Sequence, residues 1–164
     1  MKKCLIAVLL LAARMHAQEP VKDPAEIALH AAGCGPSTVS FVVTADKNQH
    51  PLAQPEAGKA LVYVMNRVDA TTRVGIDGSW VGANRYGSYS FFSVEPGDHR
   101  VCLNTQRDSL RGSALSMKAA AGETLYVVLS PREGGARWKL EEVDPAQGLF
   151  LIASSGLSAA HAKK

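Results

Sequence analysis

The chain has 164 residues, 46% of them apolar, 6% aromatic and 20% charged, so it can bury the core of one domain and does not have the composition of a disordered chain. Its formal charge of +3 comes from the two ends: without Lys2, Lys3, Lys163 and Lys164 the body has a formal charge of −1. Nucleic-acid-binding proteins cluster Lys and Arg on one face, and the body shows no such stripe, so no nucleic-acid partner is expected.

The first 17 residues have the pattern of a signal peptide. Lys2 and Lys3 form a basic start, an apolar run of about ten residues extends from Cys4 to Ala13, and Ala17 offers a small residue for cleavage. The run is too short to cross a bilayer as a helix. Cleavage after Ala13 is the alternative site, and an uncleaved anchor is the alternative fate of the segment. We expect a periplasmic or secreted protein with no stable membrane anchor after leader cleavage.

A short helix is predicted after the leader. Asp23 can accept the capping hydrogen bond, Pro24 suits the first helical position, and Glu26 completes a capping box. Gly33 ends the helix, because glycine tolerates the positive φ of a helix C terminus. Residues 18–37 are therefore expected to form a linker with a short helix.

Runs rich in β-branched residues, separated by turn signals, predict about eight strands in a β-sandwich domain at residues 38–153. Ala60 to Asn66 is nearly all apolar, as in a central strand buried on both faces. The other predicted strands are Val39 to Thr44, Arg73 to Ile76, Trp80 to Ala83, Tyr89 to Val94, His99 to Leu103, Ala114 to Ala119, Thr124 to Leu129 and Ala136 to Glu142.

Two turn signals mark the most regular part of this pattern. Asp77-Gly78 favours a type I′ hairpin turn, which needs positive φ at both central residues. Glu95 to Asp98 reverses the chain again, with a proline and a glycine in the middle. Residues 72–104 are therefore predicted to be a β-meander. Because strands do not alternate with long helices, the fold class is predicted to be mainly β, an antiparallel β-sandwich with a short helix at each end.

The C-terminal end contains the second short helix. Asp144 and Pro145 begin it with the same capping signals as the first, and it is predicted to continue to about Ile152. Gly148 is unfavourable inside it. Residues 154–164 are small and polar and are predicted to form a flexible tail.

Two cysteines remain after the leader and Cys4 are removed. An oxidising compartment favours a disulfide between Cys34 and Cys102, and the alternative is two separate buried thiols. Closing a loop of about 68 residues would stabilise the fold by roughly 4 kcal/mol in the chain-entropy model. With no Cys-x-x-Cys and no histidine at ligand spacing, neither a metal nor a cofactor is expected.

Four groups of residues carry a family resemblance: Cys34-Gly35-Pro36, Pro55 to Val64, Arg73 to Arg85, and Phe92 to Cys102. Together they resemble the bacterial domain of unknown function 2846 family, and the similarity covers most of the chain after the leader. The resemblance implies an exported β-domain without established activity, although this chain lacks the cysteine that lipoprotein members lipidate. V-x-I-D-G-x-x-V-G followed by V-E-P-G-D-H-x-V is also similar to PEGA-type repeats, which implies a small β-sandwich module of the cell envelope.

No stretch of the sequence carries a catalytic constellation. Gly-x-Ser-x-Gly, a Walker loop and GxGxxG are all absent, and no two histidines stand at the helical spacing of a metal site. His99, beside Asp98, is either a hydrogen-bonded turn residue or a catalytic base. The protein is therefore expected not to be an enzyme.

Aromatic residues suggest where a ligand could bind. Tyr89 and Phe91 must point to the opposite face of their strand from Phe92, so one set is less buried or is covered by another element. Exposed rings with polar neighbours form shallow binding platforms, whereas the alternative is a two-sided strand with tyrosine hydroxyls at the rim. The candidate platform consists of Trp80, Asn84, Arg85 and Tyr86.

We expect a non-catalytic protein-interaction module that binds a cell-envelope protein, with an added strand at a sheet edge as the mode of binding. The alternative is a carbohydrate- or peptidoglycan-binding module that uses the platform at Trp80. An envelope hydrolase with an unrecognised site is the third hypothesis.

Overall fold

The computed structural model describes residues 27–29, 32, 34–107, 112–132 and 138–163. It is mainly β, with two packed sheets and two short helices, and so confirms the predicted β-sandwich. The strands are β1 Phe41–Asp46, β2 Ala60–Asn66, β3 Thr72–Ile76, β4 Ser79–Asn84, β5 Ser88–Val94, β6 Gly97–Thr105, β7 Gly112–Ala119, β8 Thr124–Pro131, β9 Trp138–Val143 and β10 Gly156–Ala162, and the helices are α1 at 27–29 and α2 Pro145–Ala153.

The strands form a six-stranded sheet in the order β1-β10-β5-β2-β8-β9 and a four-stranded sheet in the order β4-β3-β6-β7. The expectation of antiparallel pairing is wrong at two places, since β2 pairs with β8, and β10 with β5, in parallel. In both cases the chain passes through other strands in between, and a parallel pair needs such a long connection.

The β-meander predicted at residues 72–104 is wrong in its connections. β3 and β4 form the expected hairpin, with Asp77 at φ 51° and Gly78 at φ 82° in its turn. β5 then pairs with β2 in the other sheet, and β6 returns to pair with β3. The reason is that both faces of β5 are apolar, and such a strand needs a sheet that is covered on both sides.

β2 has the predicted bounds, and all of its residues are buried. Val62 and Val64 point into the core between the sheets, while Tyr63 on the opposite face belongs to a second apolar cluster with Tyr126 and Ile152. Helix α2 and the loop before β2 cover this outer face, and the Ala53 amide donates to the Tyr63 hydroxyl at 2.7 Å. The six-stranded sheet is therefore the centre of the fold.

Helix α2 begins as predicted. Asp144 caps it by accepting a hydrogen bond from the Gln147 amide at 3.0 Å, and Pro145 follows at the start of the helix. Gly148 faces the sheet, where an added Cβ would lie 2.2 Å from the Tyr126 ring. The unfavourable glycine is therefore explained by the close approach of the helix to the sheet.

The flexible tail predicted at 154–164 is wrong for Gly156–Ala162, which form β10. Six residues of β10 pair with β1, so tertiary pairing orders a segment of small residues that have little intrinsic strand preference. The helix predicted from Asp23 to Gly33 is present at residues 27–29, and the signal peptide at 1–17 lies outside the described residues.

Cys34 and Cys102 form the predicted disulfide, with 5.5 Å between their Cα atoms. With Leu29 they make a small apolar cluster, against which Ala32 and Trp80 pack. The disulfide therefore joins the N-terminal segment to β6. No helix among the described residues is long and apolar enough to cross a membrane.

Candidate functional site

The candidate platform residue Trp80 fastens the N-terminal segment to the four-stranded sheet. Its Nε1 donates to the Pro36 carbonyl at 2.7 Å, and the guanidinium of Arg73 lies 4.5 Å from the ring centroid. Gly35 packs so closely that an added Cβ would lie 2.6 Å from the ring. The indole N–H and much of the ring are therefore engaged within the protein.

The other three platform residues lie at the opposite end of β4. Asn84 is fully buried and donates from Nδ2 to the Val64 carbonyl at 2.8 Å. Arg85 and Tyr86 are exposed in the turn that leads to β5. Trp80 and Asn84 are about 13 Å apart, because a strand rises roughly 3.3 Å per residue. The four residues therefore do not form one platform in this structure.

His99 is held by both of its ring nitrogens. Nδ1 lies 2.6 Å from Asp77 Oδ2, and Nε2 lies 2.6 Å from the Glu95 carbonyl oxygen, to which it must donate. Burial disfavours the charged ring, but the two hydrogen bonds and the charges of Asp77 and Asp98 together raise the pKa of His99. Because both ring nitrogens lie against acceptor oxygens, neither is free to act as a base. This geometry favours the interpretation of His99 as a hydrogen-bonded turn residue.

The site that sequence reasoning missed is a split in the six-stranded sheet. β5 and β10 pair at only two positions, Ser88 with Gly156 and the next residue of each strand. The Ser88 and Ser158 hydroxyls meet at 2.6 Å beside this short pairing. Beyond it, β10 continues along β1 while β5 continues along β2. The opening between residues 90–94 of β5 and residues 158–162 of β10 is called the slot below.

One side of the slot is formed by main-chain groups of β5. The Leu61 amide donates towards β8, to the Glu123 carbonyl, so the even-numbered residues of β2 face β5. In the observed register these pair with the even-numbered residues of β5. The N–H and C=O groups of Phe91 and Ser93 consequently point away from β2 and into the slot.

The other side of the slot is formed by β10. The Lys163 amide donates to the Ser40 carbonyl, so odd-numbered residues at this end of the chain face β1. The main-chain groups of Ser158 and Ala160 therefore point away from β1, to the side on which β5 pairs with the start of β10. Main-chain groups therefore lie on both sides of the slot.

The back of the slot is formed by β4 of the other sheet. A cavity of about 300 Å³ lies between Val81, Gly82, Phe92 and the first residues of β10, and Val81 is 40% exposed there. The same Val81 and Phe92 also line a wider groove of about 660 Å³ that leads to Glu95 and His99. No charged side chain occurs within β5 itself. The slot is therefore an apolar trough with polar main-chain walls and a charged mouth.

No protein-family model matches the chain, and no curated protein is significantly similar to it. The resemblance to the domain of unknown function 2846 family and to PEGA-type repeats therefore stays a prediction. Within the part of the chain that the structure describes, no group of three or more His, Cys, Asp or Glu side chains could hold a metal ion.

Proposed function

We propose that this protein is an exported, non-catalytic interaction module of the bacterial cell envelope, which takes up an extended segment of another polypeptide in the slot. The observation that supports it is the pair of strand sides, at Phe91–Ser93 and at Ser158–Ala160, that face one another without a strand between them. Strand addition provides affinity through main-chain hydrogen bonds and specificity through alternate side chains.

The proposed compartment is supported by two independent observations. The first 17 residues have the pattern of a signal peptide. The disulfide between Cys34 and Cys102 is of the kind that persists in oxidising compartments. Both are what an exported protein of the envelope would carry.

Main-chain pairing is not sufficient for tight binding. Phe91, Ser93, Ser158 and Ala160 offer about seven hydrogen-bonding groups, because the parallel pairing of Tyr89 with Leu157 uses the Ser158 N–H, and each has a net value of roughly 0.5–1.5 kcal/mol. Association itself costs roughly 4–15 kcal/mol, so pairing would leave little surplus. The apolar back of the slot, with Val81 and Phe92, supplies the further contacts that a stable complex needs.

The glycan-binding alternative has less support. Trp80 and Asn84 contact other parts of the chain, which leaves Arg85 and Tyr86 as the exposed members of the platform. Tyr86 is 60% exposed and could stack on a sugar ring, so this turn is where a glycan would bind if the alternative were correct.

A substitution on β5 tests the proposal. Ser93→Pro removes an N–H that points into the slot, and it leaves the hydrogen bonds between β5 and β2 in place. Each purified variant is used as bait on a fractionated cell envelope after mild crosslinking. We expect one dominant protein band with the native chain and about tenfold less of it with Ser93→Pro.

The matched control is Ser93→Ala, which loses the hydroxyl that donates to Glu56 at 2.9 Å but keeps the main-chain N–H. It should capture the same band as the native chain. Equal capture by Ser93→Pro would contradict docking on β5. Co-sedimentation with purified sacculi, without a protein band, would instead support the glycan alternative, and Tyr86→Ala should then abolish it.

A further inference from the structure

The mouth of the slot carries carboxylates. The slot opens from the Ser88–Ser158 contact towards the C-terminal end of β5, which leads directly to Glu95. Glu95 lines the wider groove there, together with Glu56 and Asp77. The side chain of Glu95 is 76% exposed. A bound segment that extended out of the slot would therefore pass these acidic groups.

Among these carboxylates, Glu95 has the fewest contacts. Glu56 Oε2 lies 2.8 Å from Lys59 Nζ, and its other oxygen accepts from Ser93. Asp77 binds His99 and accepts from the Arg100 amide. Glu95 has a single ion-pair contact within the described residues, with Lys59 Nζ at 3.9 Å. Its carboxylate has room for a second cation.

The back of the slot selects for side-chain size and polarity. A strand in the plane of the sheet points every second side chain inward, here towards Val81, Gly82 and Phe92. Gly82 already lies against Phe92, since an added Cβ would lie 3.1 Å from that ring. The space of about 300 Å³ therefore suits apolar side chains of small or medium size.

The length of the slot sets the length of the segment. Residues 90–94 of β5 lie beyond the pairing with β10, and at roughly 3.3 Å per residue they extend over about 17 Å. We propose that the slot binds an extended stretch of about five residues that has an apolar side chain at every second position and a lysine or arginine at the end that reaches Glu95. This inference rests on the proposed function and adds the chemistry of the partner.

Synthetic peptides test it. The probes are two acetylated and amidated hexapeptides of alternating threonine and valine, one with a single lysine at its first position and one with a single lysine at its last position. The two matched probes have glutamate in place of the lysine. Each is titrated into the purified ¹⁵N-labelled protein, and the dissociation constant is read from amide shifts. Of the two lysine peptides, we expect the one whose lysine reaches Glu95 to bind at least about fivefold more tightly than the matched glutamate peptide. It should also shift the amide signals of Phe91, Ser93, Ser158 and Ala160.

Two charge-neutralising variants separate the possible outcomes. Glu95→Gln should reduce the preference for lysine, whereas Glu142→Gln on the exposed face of β9 should leave it unchanged. Equal binding of lysine and glutamate peptides in the slot would overturn the inference and leave the proposed function standing. If no peptide shifts the slot amides even at millimolar concentration, both the inference and the proposed function are wrong.

Discussion

Two of the strand sides that lack a neighbouring strand in the six-stranded sheet differ in how they are covered: the free side of β1 and the slot side of β5. On the free side of β1, the side chain of Gln106 takes the place of a strand: its Oε1 accepts from the Phe41 amide, and its Nε2 donates to the Phe41 carbonyl at 3.1 Å. On the slot side of β5, no side chain in the described part of the chain pairs with the main chain of Phe91 or Ser93.

The free side of β1 is therefore a protected edge, whereas the slot side of β5 is an available one. Native sheets blunt their free edges with charges, bulges or covering groups, because a bare edge invites pairing with other chains. β9, the other edge of the same sheet, carries the ion pair between Lys139 and Glu141. The uncharged slot side of β5 therefore departs from the rule that the rest of the sheet follows. We attribute this departure to the proposed uptake of a partner segment in the slot.

Removal of the disulfide should have the largest effect on stability. It should leave the difference between the free side of β1 and the slot side of β5 unchanged. We expect Cys34→Ala together with Cys102→Ala to lower the free energy of unfolding by roughly 4 kcal/mol, because the unfolded chain is no longer closed into a loop. The disulfide lies on the other sheet, so the Phe91 amide should still exchange faster than the Phe41 amide. Urea unfolding and native-state hydrogen exchange measure the two quantities.

The intact mass of the native protein is the control for this prediction. It should be two hydrogens below the mass of the fully reduced form. A reduced mass under non-reducing conditions, or a double variant as stable as the native chain, would show that the disulfide does not hold this fold together.

Substitution of Gln106 should make the protected edge resemble the available one. Gln106→Leu removes both hydrogen bonds to Phe41, which should lower the free energy of unfolding by about 1–2 kcal/mol and accelerate exchange of the Phe41 amide. Gln106→Glu keeps an acceptor for the amide and loses the donor, so it should have about half the effect. A Leu variant with unchanged stability and a protected Phe41 amide would contradict the assigned role of Gln106.

The parts of the fold that could be predicted depend on local pattern. The continuous apolar run at Ala60–Asn66 marks a strand buried on both faces, and its bounds are correct to the residue. Asp144 and Pro145 are a local capping signal, and α2 begins there. The pairing of Cys34 with Cys102 required only a count of cysteines and a compartment.

The slot could not be predicted, because its second wall is β10. A glycine and three alanines give Gly156–Ala162 little strand preference, and the segment is ordered by pairing with β1 from the other end of the domain. The uncharged run of β5 was the one available signal. The run is also typical of a two-sided strand, which is one of the two alternatives that the sequence leaves open, and Phe92 does pack between the sheets while Phe91 packs on the outer face.

The candidate platform residues show a different limit of prediction from sequence. The sequence shows which side chains are polar or aromatic, but the partners of Trp80 and Asn84 lie far away along the chain, at Pro36 and Val64. Arg73 shows the same limit: it looks like an exposed charge, yet it is 1% exposed and donates to the Ser37 and Val39 carbonyls. Such contacts exist only after the two sheets have packed.

The smallest expected difference between the two strand sides is their response to pH, because the mouth of the slot contains a titrating pair and the Gln106 contact does not. The pKa of His99 is raised above its ordinary 6.5. The stability that the charged ring contributes to the folded protein is therefore fully present below pH 6.5 and is lost as pH rises through the raised pKa. Burial opposes the charge of Asp77, but the Arg100 amide and His99 lower its pKa below 3.8. Its stabilisation is therefore present above 3.8 and is lost as pH falls through the lowered value. The pair should stabilise the mouth most between pH 3.8 and 6.5.

A histidine titration followed by NMR tests this window. The pKa of His99 should lie above 6.5 in the native protein and should fall towards 6.5 in Asp77→Asn, with a loss of stability near pH 6 of less than about 1 kcal/mol, as for a partly exposed ion pair. Asp98→Asn is the matched control, because Asp98 acts on the ring through charge without a hydrogen bond, and it should lower the pKa less. If both variants lower the pKa equally, the net charge at the mouth of the slot, and not the hydrogen bond to Asp77, sets the pKa of His99. A larger effect of Asp77→Asn would instead mean that the hydrogen bond between Asp77 and His99, at the turn beside Glu95, is the main support of the raised pKa.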